Sequence, residues 1–181
     1  MPKILAVTGY AGAGKTTAVN YCENLGIGRR VYVGQFIVDE VVARKLAIDP
    51  ENEKAVRLDL RKQHGPACLA ILAAPTIDAY LKAGVTALVD AVLSMDELQY
   101  YQNRFGLQFE LLGISASFSI RASRLSIRGQ RAMNENQLRQ RDELELINLR
   151  TNLVLNAVSH TIDNDGSLEE LHDALNGVIK F

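Results

Sequence analysis

Lys3-Ile4-Leu5-Ala6-Val7-Thr8 runs directly into Gly9-Tyr10-Ala11-Gly12-Ala13-Gly14-Lys15-Thr16. The first six residues form a nearly continuous apolar run, the pattern of a strand buried on both faces of a parallel sheet. The next eight match G-x-x-x-x-G-K-[ST] in full, and residues 15–25 read as a helix closed by Gly26. Strand, glycine-rich turn and helix is the context in which this pattern wraps a polyphosphate. Backbone N–H groups must curl around the anion, so side chains are absent where the chain bends most, at Gly9, Gly12 and Gly14. Ala11 and Ala13 belong to the same expected nucleotide-binding curl. The helix start adds free donors and the positive end of its dipole. Lys15 sets a point charge on the β/γ-phosphates, and Thr16 offers a hydroxyl to Mg²⁺. Thr17 either touches an α-phosphate or simply continues the helix.

Outward from this segment, short β-like runs alternate with helical patterns, the signature of a parallel α/β sheet. Five strands are expected: 3–8, 31–33, 85–89 closed by Asp90, 109–115 and 160–163. Helices are expected over about 38–47, 52–64, 66–83, 95–105, 118–128 and 138–157. Pro75 should kink or divide the third of these. The polar stretch 129–137 reads as irregular. Ser167-Leu168-Glu169-Glu170 opens the last helix with a capping box.

Composition narrows the classes of function. The chain has 181 residues with 20 Lys+Arg against 21 Asp+Glu, a formal charge of −1. Length argues for one domain over 1–181, and near-neutral charge argues against a general nucleic-acid binder. No run approaches the roughly 18 apolar residues needed to cross a bilayer, and the start lacks a leader pattern. Cys22 and Cys68 make neither a disulfide framework nor a zinc site. A soluble cytoplasmic protein is expected.

Two further features point to phosphate chemistry. An octahedral Mg²⁺ shell wants a carboxylate, direct or through water, and Asp90 closes an apolar strand where one is expected. Residues 121–141 hold Arg121, Arg124, Arg128, Arg131, Arg139 and Arg141 against Glu135 alone, six of the thirteen arginines. Arg121, Arg124 and Arg128, at i, i+3 and i+7, are expected on one helix face. Guanidinium forks suit phosphate oxygens gripped from several sides. The same pattern also describes a solvated face laced to Asp142, Glu143 and Glu145, or an RNA-binding patch. The polar stretch after the arginines suggests a lid that excludes water.

These residues, in this order, with Ile162-Asp163-Asn164-Asp165-Gly166-Ser167-Leu168-Glu169-Glu170-Leu171, resemble the nucleotide-kinase group of P-loop proteins. Within it the chain looks like the adenylate-kinase-like family related to dephospho-CoA kinase. Leu60-Arg61-Lys62-Gln63-His64-Gly65-Pro66 and Arg141-Asp142-Glu143-Leu144-Glu145 look like that family too. The resemblance implies an α/β three-layer sandwich with a five-stranded parallel sheet in the order 2-3-1-4-5. It implies an Arg-rich lid at about 124–140 and an acceptor region at about 34–83. It implies ATP as donor, with Mg²⁺, and a small-molecule, nucleotide-like acceptor. Asn164, Asp165 and Gly166 would line the base pocket, with Arg124 near adenine and phosphates and Arg128 and Arg131 in the lid.

Nucleotide monophosphate kinases tend to carry Gly-Asp-x-x-Arg after the second strand. Here Gly34-Gln35-Phe36-Ile37-Val38-Asp39 stands in its place. Read in the dephospho-CoA kinase register, Asp39 aligns with an acid that activates the acceptor hydroxyl; a surface helix start explains it as well. The expected catalytic set is Lys15, Asp90, Arg124, Arg128 and Asp39. An ATPase, or a nucleotide-gated binding module without an acceptor, is the alternative.

Overall fold

The computed structural model describes residues 3–129 and 131–179. Strand β1 (Ile4–Thr8) sits at the centre of a parallel sheet whose order is β2-β3-β1-β4-β5, with β2 (Arg29–Tyr32), β3 (Ala87–Asp90), β4 (Phe109–Ser115) and β5 (His160–Asp163). The period of two divides its side chains between two cores. Ile4 and Ala6 face one cluster with Ala87, Val89 and Leu111. Val7 faces the other with Leu88, Leu112 and Ile114. Fully burying an Ile or Val contributes about 1.5–3 kcal/mol, so β1 is anchored on both faces.

The second cluster is roofed by α1 (Lys15–Asn24) and α9 (Leu168–Val178) through Ala18, Val19, Cys22, Leu171 and Leu175. The first is covered by α2 (Gln35–Ala43), α3 (Pro50–His64), α4 (Cys68–Lys82), α5 (Met95–Phe105) and α8 (Thr151–Asn156). A third, small cluster packs α6 (Phe118–Ser126) and α7 (Glu135–Leu144) on Ala11 through Ala122, Leu125 and Leu138. No helix among the described residues is long and apolar enough to cross a membrane.

The strand order expected from the resemblance is the order found. Register brings Val7 opposite Asp90, Tyr32 opposite the same Asp90, and Ser115 opposite Asp163. The carboxyl ends of all five strands therefore share one edge, where a doubly wound sheet holds its ligands.

Several expected elements differ in detail. Pro75 does not divide α4, which runs unbroken from Cys68 to Lys82. Pro75 faces solvent, so water can serve the carbonyl left free one turn earlier. Helix α6 ends at Ser126, so Arg128 lies past its end and does not share a face with Arg121 and Arg124. Asn134 opens α7 with a capping box to Gln137, inside the stretch expected to be irregular. The helix expected over 138–157 is broken instead. After α7 comes a π turn (Glu145–Leu149), then Arg150 in the left-handed region at φ 53°, then α8. The Thr151 hydroxyl holds the break, donating to Leu93 O at 2.9 Å or to Glu145 O at 3.2 Å. Gln130, inside the expected lid, lies outside the described residues.

Candidate active site

The loop between β1 and α1 owes its shape to two glycines above all. Gly9 has φ 149°, and a Cβ there would run into the Ile114 carbonyl oxygen. Gly14 has φ 104°, and a Cβ there would meet the Asn164 side-chain amide. Neither conformation nor either approach admits another residue cheaply. Gly14 is also the N-cap of α1. No side chain caps that end and no acidic residue occupies its first turn. Its free N–H groups and dipole thus point at the loop without an internal anion.

Two side chains support the curl from behind. Asn164 Nδ2 donates to Ala13 O at 2.7 Å and is buried. Arg121 Nη1 donates to Ala11 O at 3.1 Å, and its Nε to Ala116 O at 3.2 Å. The same guanidinium forks onto Asp142, at 3.0 and 2.7 Å. Arg121 is buried; it braces the loop from α6 and ties it to α7. Of the readings of the arginine segment, the lacing to Asp142 is found for this residue, but on a buried side chain rather than a solvated face.

Lys15 Nζ donates to Gly9 O at 2.7 Å and Tyr10 O at 2.9 Å, leaving one of its three protons for a ligand. Burial lowers its pKa from the ordinary 10.5 to about 8. Glu145 and Asp90 pull it up, while Arg141 and Arg121 push it further down. A half-buried cation with a proton to spare is suited to an anionic ligand.

Thr16, one residue on, aims its hydroxyl at Asp90 Oδ2, 3.1 Å away. The side chain of Asp90 is only 4% exposed. The two residues expected to hold a metal are thus brought together, one from α1 and one from the end of β3. A hydroxyl and a carboxylate, both oxygen donors, fit a hard cation such as Mg²⁺. A third residue joins them that the sequence did not single out. Arg30 donates to Asp90 Oδ2 through Nε at 3.1 Å and Nη2 at 2.6 Å. Its guanidinium also lies over the Tyr32 ring, 4.7 Å from the centroid. Strand alternation puts Arg30 and Tyr32 on one face, a signal available once β2 is known to start at Arg29 rather than at 31.

On the far side, Arg124 Nη2 reaches Gly166 O at 3.3 Å, while its Nη1 is buried without a partner. The resemblance associates Arg124, Asn164 and Gly166 with the nucleotide; the structure sets Asn164 against the loop and Arg124 against Gly166, two residues further along the chain. Gly166 also has a local reason: a Cβ there would overlap the Glu170 carboxylate.

The expected acceptor side is less assembled. Asp39 is exposed and accepts from Gln35 Nε2 at 2.8 Å, one turn away on α2. Arg44 is engaged by Glu40 and Asp59, both at 2.8 Å. Gly34 is crowded by Tyr32, whose Cζ would lie 2.6 Å from a Cβ there. Among the described residues no hydrogen bond or ion pair joins Asp39 or Arg128 to the loop. Arg57 is a different case. Burial first, and then the like charges of Arg61 and Arg141, hold its guanidinium below the usual arginine range. Arg131 leaves the lid segment for α3, pairing with Glu53 and donating to Tyr32 Oη at 3.2 Å.

Glu145 is a second residue the sequence did not single out as a site. Its side chain is 8% exposed; Oε1 accepts from Arg141 Nε at 2.8 Å, and Oε2 is buried without a partner. The Arg121–Asp142 pair fixes α7 to the loop, and Thr151 fixes the π turn to Leu93, just past Asp90. Glu145 and Arg141 are clamped between the two.

No family model matches this chain. Among curated proteins it is similar to a UPF0200 protein of Methanosarcina mazei, 31% identical over 182 residues that cover 99% of this chain and 95% of the relative. The chain belongs to the UPF0200 family. A UPF0200/UPF0201 protein of Archaeoglobus fulgidus is 26% identical over 179 residues, and there the match spans about half of the relative, 55%. Among solved structures this UPF0200 chain is similar to shikimate kinase from Bacteroides thetaiotaomicron, with a TM-score of 0.61, 12% identity and 97% of each chain covered. It is also similar to a gluconokinase from Sinorhizobium meliloti, with a TM-score of 0.53, 15% identity and 98% and 93% coverage. At these identities the likeness is one of fold, that of the P-loop kinases.

Proposed function

We propose that this UPF0200 chain is a kinase that transfers the γ-phosphoryl group of Mg-ATP to a nucleotide or nucleotide-like acceptor. The observation that carries the proposal is the contact of Thr16 with buried Asp90 at the mouth of a glycine loop whose helix end has no cap of its own. The fold of shikimate kinase and gluconokinase supports it at the level of class. Kinship with dephospho-CoA kinase rests on the sequence motifs. The whole chain, 1–181, would act as one domain, with its acceptor region at about 34–83 and its lid at about 124–140.

In this reading the backbone from Gly9 to Gly14, with the side chains of Lys15, Thr16 and Thr17, binds the donor phosphates. Thr16 and, through water, Asp90 hold Mg²⁺. When bound, the metal offsets charge on the β- and γ-oxygens. Lys15, Arg124 and Arg128 stabilise the charge that spreads over the transferred group. Asn164 and Gly166 border the base. Half-buried Arg57, among like charges, favours an acceptor that carries an anion. An acceptor phosphate brings an anionic oxygen, so no base is required; a hydroxyl acceptor would pass its proton to Asp39.

The test is incubation with Mg-ATP and a panel of nucleoside monophosphates plus dephospho-CoA. A product that gains phosphate with one acceptor is expected. ADP and free phosphate formed equally without acceptor would instead make the chain an ATPase. Tight ATP binding with no turnover would make it a binding module.

A further inference from the structure

Among the described residues, Arg30 is the one cation that directly contacts the carboxylate of the candidate metal site. Both of its contacts go to Oδ2 of Asp90, at 3.1 and 2.6 Å. Thr16 shares that oxygen at 3.1 Å and lies 3.4 Å from Oδ1. Oδ1 thus keeps accepting capacity, since an ionised carboxylate offers about four lone-pair directions. Arg30 holds its place through the Tyr32 ring beneath it, and its side chain is 26% exposed against 4% for Asp90. The residue comes from β2, two positions before the residue paired in register with Asp90, so the sheet itself sets the distance.

We infer that Arg30 is a positioning and specificity residue for the metal: it turns Oδ1 of Asp90 toward the cation and cancels the carboxylate's charge, so that the site accepts a divalent ion only together with nucleotide phosphates. The inference rests on the proposed donor site. The electrostatics follow from counting charges. Asp90 and Arg30 sum to zero, Thr16 is neutral, and Lys15, which feels the field of Asp90, adds positive charge nearby. A bare divalent cation approaching Oδ1 is attracted by one charge and repelled by another a few ångströms further away. Near a protein surface these opposing effects are of similar size, so little net attraction remains. A polyphosphate changes the balance because it brings its own negative charge to the same place. Without Arg30, Asp90 would be a buried carboxylate beside a hydroxyl, a set that invites a lone hard cation.

The test measures free Mn²⁺ by electron paramagnetic resonance in titrations of the folded protein, with and without ADP. It compares the unsubstituted chain with Arg30→Gln, Arg30→Lys and the double variant Arg30→Gln/Asp90→Asn. Thermal melting first establishes that each variant is folded. The unsubstituted chain should bind Mn²⁺ weakly alone and much more tightly with ADP. Arg30→Gln should bind Mn²⁺ alone about tenfold more tightly than the unsubstituted chain. Arg30→Lys, which keeps the charge, should not show the gain, and Asp90→Asn should abolish it. No gain in Arg30→Gln, or an equal gain in Arg30→Lys, overturns the inference while leaving the donor site intact. Absence of any ADP-dependent Mn²⁺ binding in the unsubstituted chain overturns the donor-site reading itself, and this inference with it.

Discussion

The Thr16 hydroxyl and the Asp90 carboxylate meet at 3.1 Å across 74 positions of sequence. Replacing Asp90 by Asn should leave the loop in place yet remove most of the advantage that Mg²⁺ gives to ATP binding, about 10–100-fold. Calorimetric titration of ATP with and without Mg²⁺ measures it; an unchanged ratio would remove Asp90 from the metal site. Asp90→Ala also strips Arg30 of its partner and should cost about 1–3 kcal/mol of stability, read by denaturant unfolding.

Lys15 makes binding depend on pH. Its pKa of about 8 in the free protein rises once phosphates surround it, so binding takes up a proton above that pH. ATP affinity should therefore be flat below pH 8 and fall as pH rises beyond it. Calorimetry in two buffers of different ionisation enthalpy detects the proton. Glu145 acts to raise the Lys15 pKa, so Glu145→Gln should move the onset of the fall to lower pH. Stability runs the other way: the unfolded chain holds this proton up to 10.5, so Lys15 makes stability rise with pH between about 8 and that value.

Arg121 should behave as a brace rather than a phosphate ligand. It is buried, forked onto Asp142, and bonded to the loop carbonyl of Ala11. Arg121→Met leaves half-buried Asp142 unpaired and the Ala11 carbonyl without its donor, and should cost about 1–3 kcal/mol. A melt that barely shifts, with ATP binding lost, would return Arg121 to the ligand-binding set.

Gly14→Ala places a methyl group against the Asn164 amide in a left-handed conformation. It should cost about 1–3 kcal/mol and weaken ATP binding. Asn164→Ala should restore part of the stability in the double variant, because it removes the atoms the methyl meets. Additive losses would show that the two do not interact.

What the sequence revealed and what it hid have different physical origins. The β1–loop–α1 unit is local: apolar run, glycines and Lys-Thr lie within fourteen residues, each with one physical reading. Asp90 was legible because a strand-end acid beside such a loop has few other roles. Arg30 was not, because the second strand was expected to begin at 31, which leaves Arg30 outside it, whereas β2 starts at Arg29. Glu145 was hidden for another reason. The break after α7 contains neither Gly nor Pro; a left-handed Arg150 and the Thr151 hydroxyl make it, and neither announces itself in a periodic pattern. Arg121, Arg124 and Arg128 looked equivalent by spacing, yet one is a buried brace, one touches Gly166, and one lies past the helix end.

The order β2-β3-β1-β4-β5 also has a consequence for synthesis. The glycine loop leaves the ribosome before its partners, but β1 pairs with β3 at Ala87–Asp90 and with β4 at Phe109–Ser115. The loop is then braced from Arg121, Asp142 and Asn164. Long-range pairings of this kind form late. The earliest translated part of the machinery thus waits for nearly the whole polypeptide before it can take its working shape, and a nascent chain halted ahead of β4 should have no grip on nucleotide.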